Sequence, residues 1–222
     1  FLQRVGHDLR TPLTLVRMYT ETLAEGRVDD AAEAREFAGI AAREAGRLAR
    51  MVDGVLDLSR LERPEAAGRA LDVAALAESV VEAHRPLAEE AGLVLSLERA
   101  GDGAADAVAD ADALRGAIGN LIENAIKHAP GGGAIDVRVE GDGASVRISV
   151  ADRGPGFPPG GEDRMFERFV RGNDVRVPGT GLGLALVREV ARRHGGDATA
   201  RGRAGGGAEV ELTLPRGTKE TT

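Results

Sequence analysis

Apolar residues recur at helical spacing through about the first sixty positions and then stop at Arg63-Pro64-Glu65. That break limits the chain to two dissimilar parts. From Phe1 to about Leu23 the apolar set is Leu2, Val5, Leu9, Leu13, Val16 and Leu23, close to a 3-4 spacing. Gly26 followed by Asp29-Asp30 predicts the end of one helix and the cap of the next. From about Asp30 to Leu61, Phe37, Ala41, Leu48, Met51, Val55 and Leu58 continue the stripe over roughly 30 residues, or about 45 Å. A two-helix hairpin is too thin to hide both stripes. Pairing with a second copy into a four-helix bundle covers them, so a homodimer is expected.

Proline breaks the second helix, and a short linker follows. The pattern then becomes α/β. Helices are predicted near Val73 to Ala91, Asp112 to Ala129 and Leu182 to His194. Strands are predicted at Leu93–Leu97, Ile135–Val139, Val146–Val150 and Glu209–Leu214, with Gly141-Asp142-Gly143 as a hairpin turn. The expected organisation is a helical hairpin over 1–63, a linker over 64–69, a two-layer α/β sandwich with an antiparallel or mixed sheet over 70–215, and a frayed tail over 216–222.

A net charge of −7 argues against nucleic acid as the main partner, since no basic surplus replaces phosphate counterions. Aromatic residues make up 3% and tryptophan is absent, which leaves no stacking platform for bases. No cysteine means no disulfide frame, thiolate metal site or thiol nucleophile. No run of about 18 apolar residues spans a membrane, and no signal peptide is evident. Phe1 to Val5 reads as helix interior without a cap, as expected of a fragment whose upstream part is missing.

Chemistry enters with His7-Asp8-Leu9-Arg10-Thr11-Pro12. On a helix Thr11 lies one turn beyond His7 on the same face, and Asp8 approaches the imidazole from the side. A neutral ring nitrogen is a nucleophile, and a carboxylate on the other N–H fixes the tautomer. Such pairs are common on exposed helices and carry little alone. On the helix from Leu114 to His128, the residues Asn120, Asn124 and Lys127 or His128 share one face. Leu114, Ile118, Leu121, Ile122 and Ala125 form most of the other. Two carboxamides and an ammonium on one stripe suit magnesium–triphosphate.

Asp152-Arg153-Gly154-Pro155-Gly156 follows a predicted strand directly. Such a turn lets backbone approach a planar ligand, and a buried carboxylate accepts from an exocyclic amine. Gly179-Thr180-Gly181-Leu182-Gly183-Leu184 leads into a helix, where glycine amides form an anion site. No Gly-Lys-Ser/Thr follows, so it is not a P-loop. It is also a poor dinucleotide fingerprint, lacking a preceding parallel strand and a later acid.

Together these stretches resemble the sensor histidine kinases of two-component signalling. His7-Asp8-x-x-Thr11-Pro12 is similar to the H-box, Asn120 to His128 to the N-box, and Asp152-x-Gly154-x-Gly156 to the G1 box. Gly179 to Leu184 is similar to the G2 box, and Met165-Phe166-Glu167-Arg168-Phe169-Val170-Arg171 to the F-box. The resemblance implies a GHKL ATPase-type sandwich of the Bergerat kind, shared with gyrase, Hsp90 and MutL. It implies that His7 is the phosphoacceptor, Asp8 its base, and Thr11 a residue that helps position water for removing the phosphoryl group from the partner.

It also implies ATP with Mg2+ as cofactors. Asn124 would be the metal ligand, with Asn120, Lys127 and His128 near the phosphates. Asp152 would read adenine, with Gly154 and Gly156 in its loop. Gly179, Thr180, Gly181, Leu182, Gly183 and Leu184 would hold phosphate. The F-box phenylalanines would anchor a mobile lid, and Arg168 or Arg171 would stabilise charge on the transferred phosphoryl group.

Asn120 stands where the hydrolysing cousins carry a glutamate base, and an amide is a poor base, which favours transfer over hydrolysis. The family often carries Ser or Thr after its last glycines, but this chain reads Gly205-Gly206-Gly207-Ala208. The implied reaction is phosphoryl transfer from ATP to His7 and onward to an aspartate of a response regulator. It would occur in a cytoplasmic fragment whose full-length protein is anchored in the bacterial membrane by upstream segments. The alternatives are a nucleotide-binding dimeric scaffold, a pseudokinase, and an ATPase of the gyrase–Hsp90–MutL type.

Overall fold

The computed structural model describes residues 2–61, 68–101, 105–129, 133–157, 160–168, 170 and 180–217, with only the backbone of residues 2–8, 53, 55 and 57–61. The chain divides into two compact units, Phe1–Leu56 and Asp57–Thr222. The break expected at Arg63-Pro64-Glu65 lies outside the described residues.

In the first unit α1 spans Leu2–Ala24, and α2 starts at Ala31 and runs to Leu61. Gly26 takes φ of 62°, and the Ala32 N–H donates to Asp30 Oδ1 at 3.0 Å, so the turn and cap fall where the sequence predicts. The rings of Tyr19 and Phe37 meet edge to face at 5.0 Å, which folds α2 back along α1. Pro12 is buried within α1 and has no N–H to offer the Asp8 carbonyl. Ala41 and Met51 are buried, but Leu13, Met18, Val52 and Leu56 remain 45–57% exposed. One hairpin does not cover its own apolar surface.

The second unit begins with β1 (Arg69–Asp72) and α3 (Val73–Glu90), and continues with β2 (Val94–Ala100) and β3 (Asp106–Ala109). Then come α4 (Ala111–His128), β4 (Ala134–Gly141) and β5 (Ser145–Ala151). A 3-10 turn at Asp163–Phe166, α5 (Gly183–Arg193), β6 (Asp197–Gly202) and β7 (Ala208–Pro215) complete it. Five strands form one mixed sheet in the order β2-β4-β5-β7-β6, where only β2 and β4 run parallel. Strands β1 and β3 pair separately.

Strands β4, β5 and β7 alternate buried with less buried positions, as one covered face requires. Ile135, Val137, Val139, Val146, Ile148, Val210, Leu212 and Leu214 meet the buried faces of α3, α4 and α5 to make the core. Asp72 and Asp110 cap α3 and α4 with their side chains, so α4 begins one residue before the predicted Asp112. The first two residues of the expected tail are hydrogen-bonded. The Arg216 N–H donates to the Ala144 carbonyl at 2.9 Å, and Gly217 to that of Asp106 at 3.3 Å. Residues 218–222 lie outside the described residues.

Candidate functional site

The second unit gathers three sequence-distant motifs around α4. Leu114, Ile118, Leu121, Ile122 and Ala125 are buried, which leaves Asn120 and Asn124 half-buried on the opposite stripe. Asn120 lies against the first residue of α5: a Cβ on Gly183 would approach Asn120 Oδ1 to 3.3 Å. At the other end of α4, a Cβ on Gly154 would lie 2.5 Å from the His128 carbonyl oxygen. Glycine is therefore required there for the loop after β5 to seat on the helix. Lys127 donates from Nζ to Glu123 Oε2 at 2.9 Å in an exposed pair, which holds it loosely. His128 is half-buried.

Asp152 is the one buried charged residue among those described, at 4% exposure. Its Oδ1 accepts from the N–H groups of Gly154 at 2.7 Å and Ala208 at 3.2 Å. Among the described residues nothing bonds Oδ2. The arrangement is a carboxylate whose orientation is fixed by backbone and whose second oxygen is available to a donor. Gly156, with φ of 76°, lies beside Gly207. The turn at Gly205 to Gly207 thus forms the other wall against this loop.

Helix α5 starts after Thr180-Gly181-Leu182, with Gly181 at φ of 69°. Thr180 Oγ1 accepts from the Leu182 N–H at 3.3 Å, Leu182 is buried, and no side chain caps the helix. Gly183 and Leu184 are half-buried in its first turn. An uncapped glycine-rich helix start presents backbone N–H groups to an anion. Arg168 approaches Glu189 of α5 at 3.9 Å. Gly179, Phe169 and Arg171 lie outside the described residues.

Sequence reasoning missed two arginines here. The Arg188 guanidinium sits 4.3 Å from the Phe166 ring centroid and pairs with Asp163 at 3.0 Å and Asp197 at 3.1 Å. Arg203 Nη1 donates to the Asp152 carbonyl at 2.9 Å. No motif marks either, because their partners are set by tertiary contact. In the first unit α1 carries His7, Asp8 and Thr11 on its backbone, and Thr11 is exposed. The side chains of His7 and Asp8 lie outside the described residues.

Residues 1–64 match the family model "His Kinase A (phospho-acceptor) domain", and residues 109–218 match "Histidine kinase-, DNA gyrase B-, and HSP90-like ATPase". The chain belongs to the sensor histidine kinase family. Sensor-like histidine kinase SenX3 of Mycobacterium tuberculosis is 33% identical over 220 residues, covering 97% of this chain and 53% of that protein. The chain thus spans about half the length of the relatives it matches.

Among solved structures, full-length ShkA in complex with AMPPNP is 29% identical with a TM-score of 0.68, over 98% of this chain and 46% of that one. Histidine kinase ThkA in complex with response regulator protein TrrA aligns with a TM-score of 0.78, over 100% of this chain and 62% of that one. At 20% identity it shows the histidine kinase fold. No helix among the described residues is long and apolar enough to cross a membrane.

Proposed function

We propose that the chain is the catalytic core of a sensor histidine kinase, with residues 1–63 as phosphoacceptor hairpin and 70–215 as ATP-binding domain. The observation that carries this reading is the convergence of Asn120, Gly154 and Gly183 on α4 beside the buried Asp152. Asp152 Oδ2 accepts the exocyclic amine of adenine. The uncapped start of α5 receives phosphate, and Arg168 offers positive charge.

The Asn124 carboxamide makes no hydrogen bond with the described residues, so its oxygen would suit a hard cation. Mg2+ held by Asn124 would supply charge that offsets what develops on the phosphates. A ring nitrogen of His7 attacks the γ-phosphorus. The new N–P bond forms as the bond to the β-phosphate oxygen breaks, ADP leaves, and Asp8 takes the ring proton. Asn120 lacks the basicity to activate water, in keeping with transfer to a protein group.

The exposed Leu13, Met18, Val52 and Leu56 support a second copy against the hairpin. The complex of ThkA with its regulator supports an acceptor aspartate on a response regulator, and Thr11 would help position the water that hydrolyses that phosphoryl group. Full-length relatives are named as sensors, in keeping with an upstream membrane anchor and a cytoplasmic core.

Radiolabelled ATP tests the reading. Label that is acid-labile, base-stable and lost in His7→Ala is the expected result. Steady phosphate release that survives His7→Ala would favour an ATPase, and stoichiometric binding without label a scaffold.

A further inference from the structure

Every polar group of Asp152 but Oδ2 is engaged by the described residues. Its N–H donates to the Ala208 carbonyl at 2.9 Å, and its Oδ1 accepts from Gly154 and Ala208. These bonds join main chain to Asp152 and come with the fold. The remaining bond differs in kind. The Asp152 carbonyl accepts from the Arg203 side chain, 51 residues further along, in the turn between β6 and β7. That turn is closed on itself, with Arg203 N–H donating to Gly207 O at 3.0 Å and Gly206 N–H to Arg203 O at 3.2 Å. Gly207, at φ of 99°, packs so closely on the Asp152 carbonyl that no Cβ fits between them.

The position of this bond has a mechanical consequence. Gly154 N–H reaches Oδ1 across an Asx turn, and its reach depends on ψ of Asp152. The direction of the Asp152 carbonyl is set by the same angle. A guanidinium anchored to that carbonyl therefore restrains the turn, and through it the direction of Oδ2. Among the described residues, none of those on α4 or at the start of α5 bonds Arg203.

We propose that Arg203 is a positioning residue for base selection: it holds the Asp152 turn so that Oδ2 accepts an exocyclic amine, and favours adenine over guanine nucleotides. The proposal rests on Asp152 as the adenine contact. Asp152→Asn is therefore the reference variant, because it puts a donor where the amine needs an acceptor.

Equilibrium binding of ATP, GTP and inorganic tripolyphosphate to the full chain provides the test. Arg203→Ala should weaken ATP about three- to tenfold, as for loss of one hydrogen bond. Tripolyphosphate should stay within about twofold, so the ATP-over-GTP ratio falls. Arg203→Lys, which keeps a donor, should recover most of the preference. An unchanged ratio in Arg203→Ala, or equal weakening of ATP and tripolyphosphate, overturns the proposal while Asp152→Asn still loses the preference. A preference that survives in Asp152→Asn overturns the adenine reading itself. If Arg203→Ala does not fold, Arg203→Met, which keeps the stem and removes the donor, carries the same comparison.

Discussion

The Arg188 guanidinium lies over the Phe166 ring, 4.3 Å from its centroid, with its side chain only 17% exposed. Asp163, in the same 3-10 turn as Phe166, and Asp197, at the start of β6, complete the contact. Arg188 of α5 thus holds this segment through both the Phe166 ring and the Asp163 carboxylate. Arg188→Met keeps an aliphatic stem on the ring and removes the charge. It should cost about 1–3 kcal/mol in urea unfolding, and raise amide exchange at 163–166 more than in β4 or β5. Equal exchange in both regions would remove this role.

Asn124→Ala deletes the carboxamide assigned to the cation. Magnesium-dependent labelling of His7 should fall by about 10²-fold or more, as for other groups that stabilise developing charge. Light scattering should show the same oligomer as wild type. Labelling that persists at wild-type rate removes Asn124 from the metal.

Asp142 turns the β4–β5 hairpin. The Ser145 N–H, then the Ser145 hydroxyl and the Ala144 N–H, hold its carboxyl down from 3.8 to about 2. A depressed carboxyl stabilises the fold above its unfolded value and loses that contribution as pH falls through its folded one. The hairpin should therefore lose stability between about pH 4 and pH 2. Asp142→Asn should be less stable at neutral pH and should flatten that slope in acid unfolding curves. A slope unchanged in the variant would place the acid transition elsewhere.

Val52 and Leu56 stand one turn apart on α2, 45% and 50% exposed. With a second copy over them, Val52→Asp together with Leu56→Asp should convert dimer to monomer in sedimentation and leave ATP affinity unchanged. A dimer of undiminished stability would assign this face to something else.

Long periodic elements were legible from sequence. The two hairpin helices, α4 with its split faces, and β4–β5 around Gly141-Asp142-Gly143 lie within a few residues of their predicted bounds. The short strands were not. Strand β6 reads Asp-Ala-Thr-Ala-Arg-Gly with only Ala198 buried, and it is a strand because β7 supplies its partners. Strands β1 and β3 exist through each other, whereas β2 was predicted and only its parallel pairing with β4, about forty residues away, was not. The site divides the same way. Asp152 was legible because an acid and two glycines follow a strand directly. Arg188 and Arg203 were not, because their partners lie 25 and 51 residues off.

Strands β5 and β7 are hydrogen-bonded neighbours at the middle of the sheet, yet everything from the Asp152 loop through α5 and β6 lies between them in sequence. The excursion starts and ends at one point, where Asp152 N–H meets the Ala208 carbonyl. Its neck is already shut by the sheet. Added length inside it costs only loop-closure entropy, about 0.6 kcal/mol per doubling. A change of length within the excursion therefore reaches the sheet only weakly, because both of its ends are already joined there.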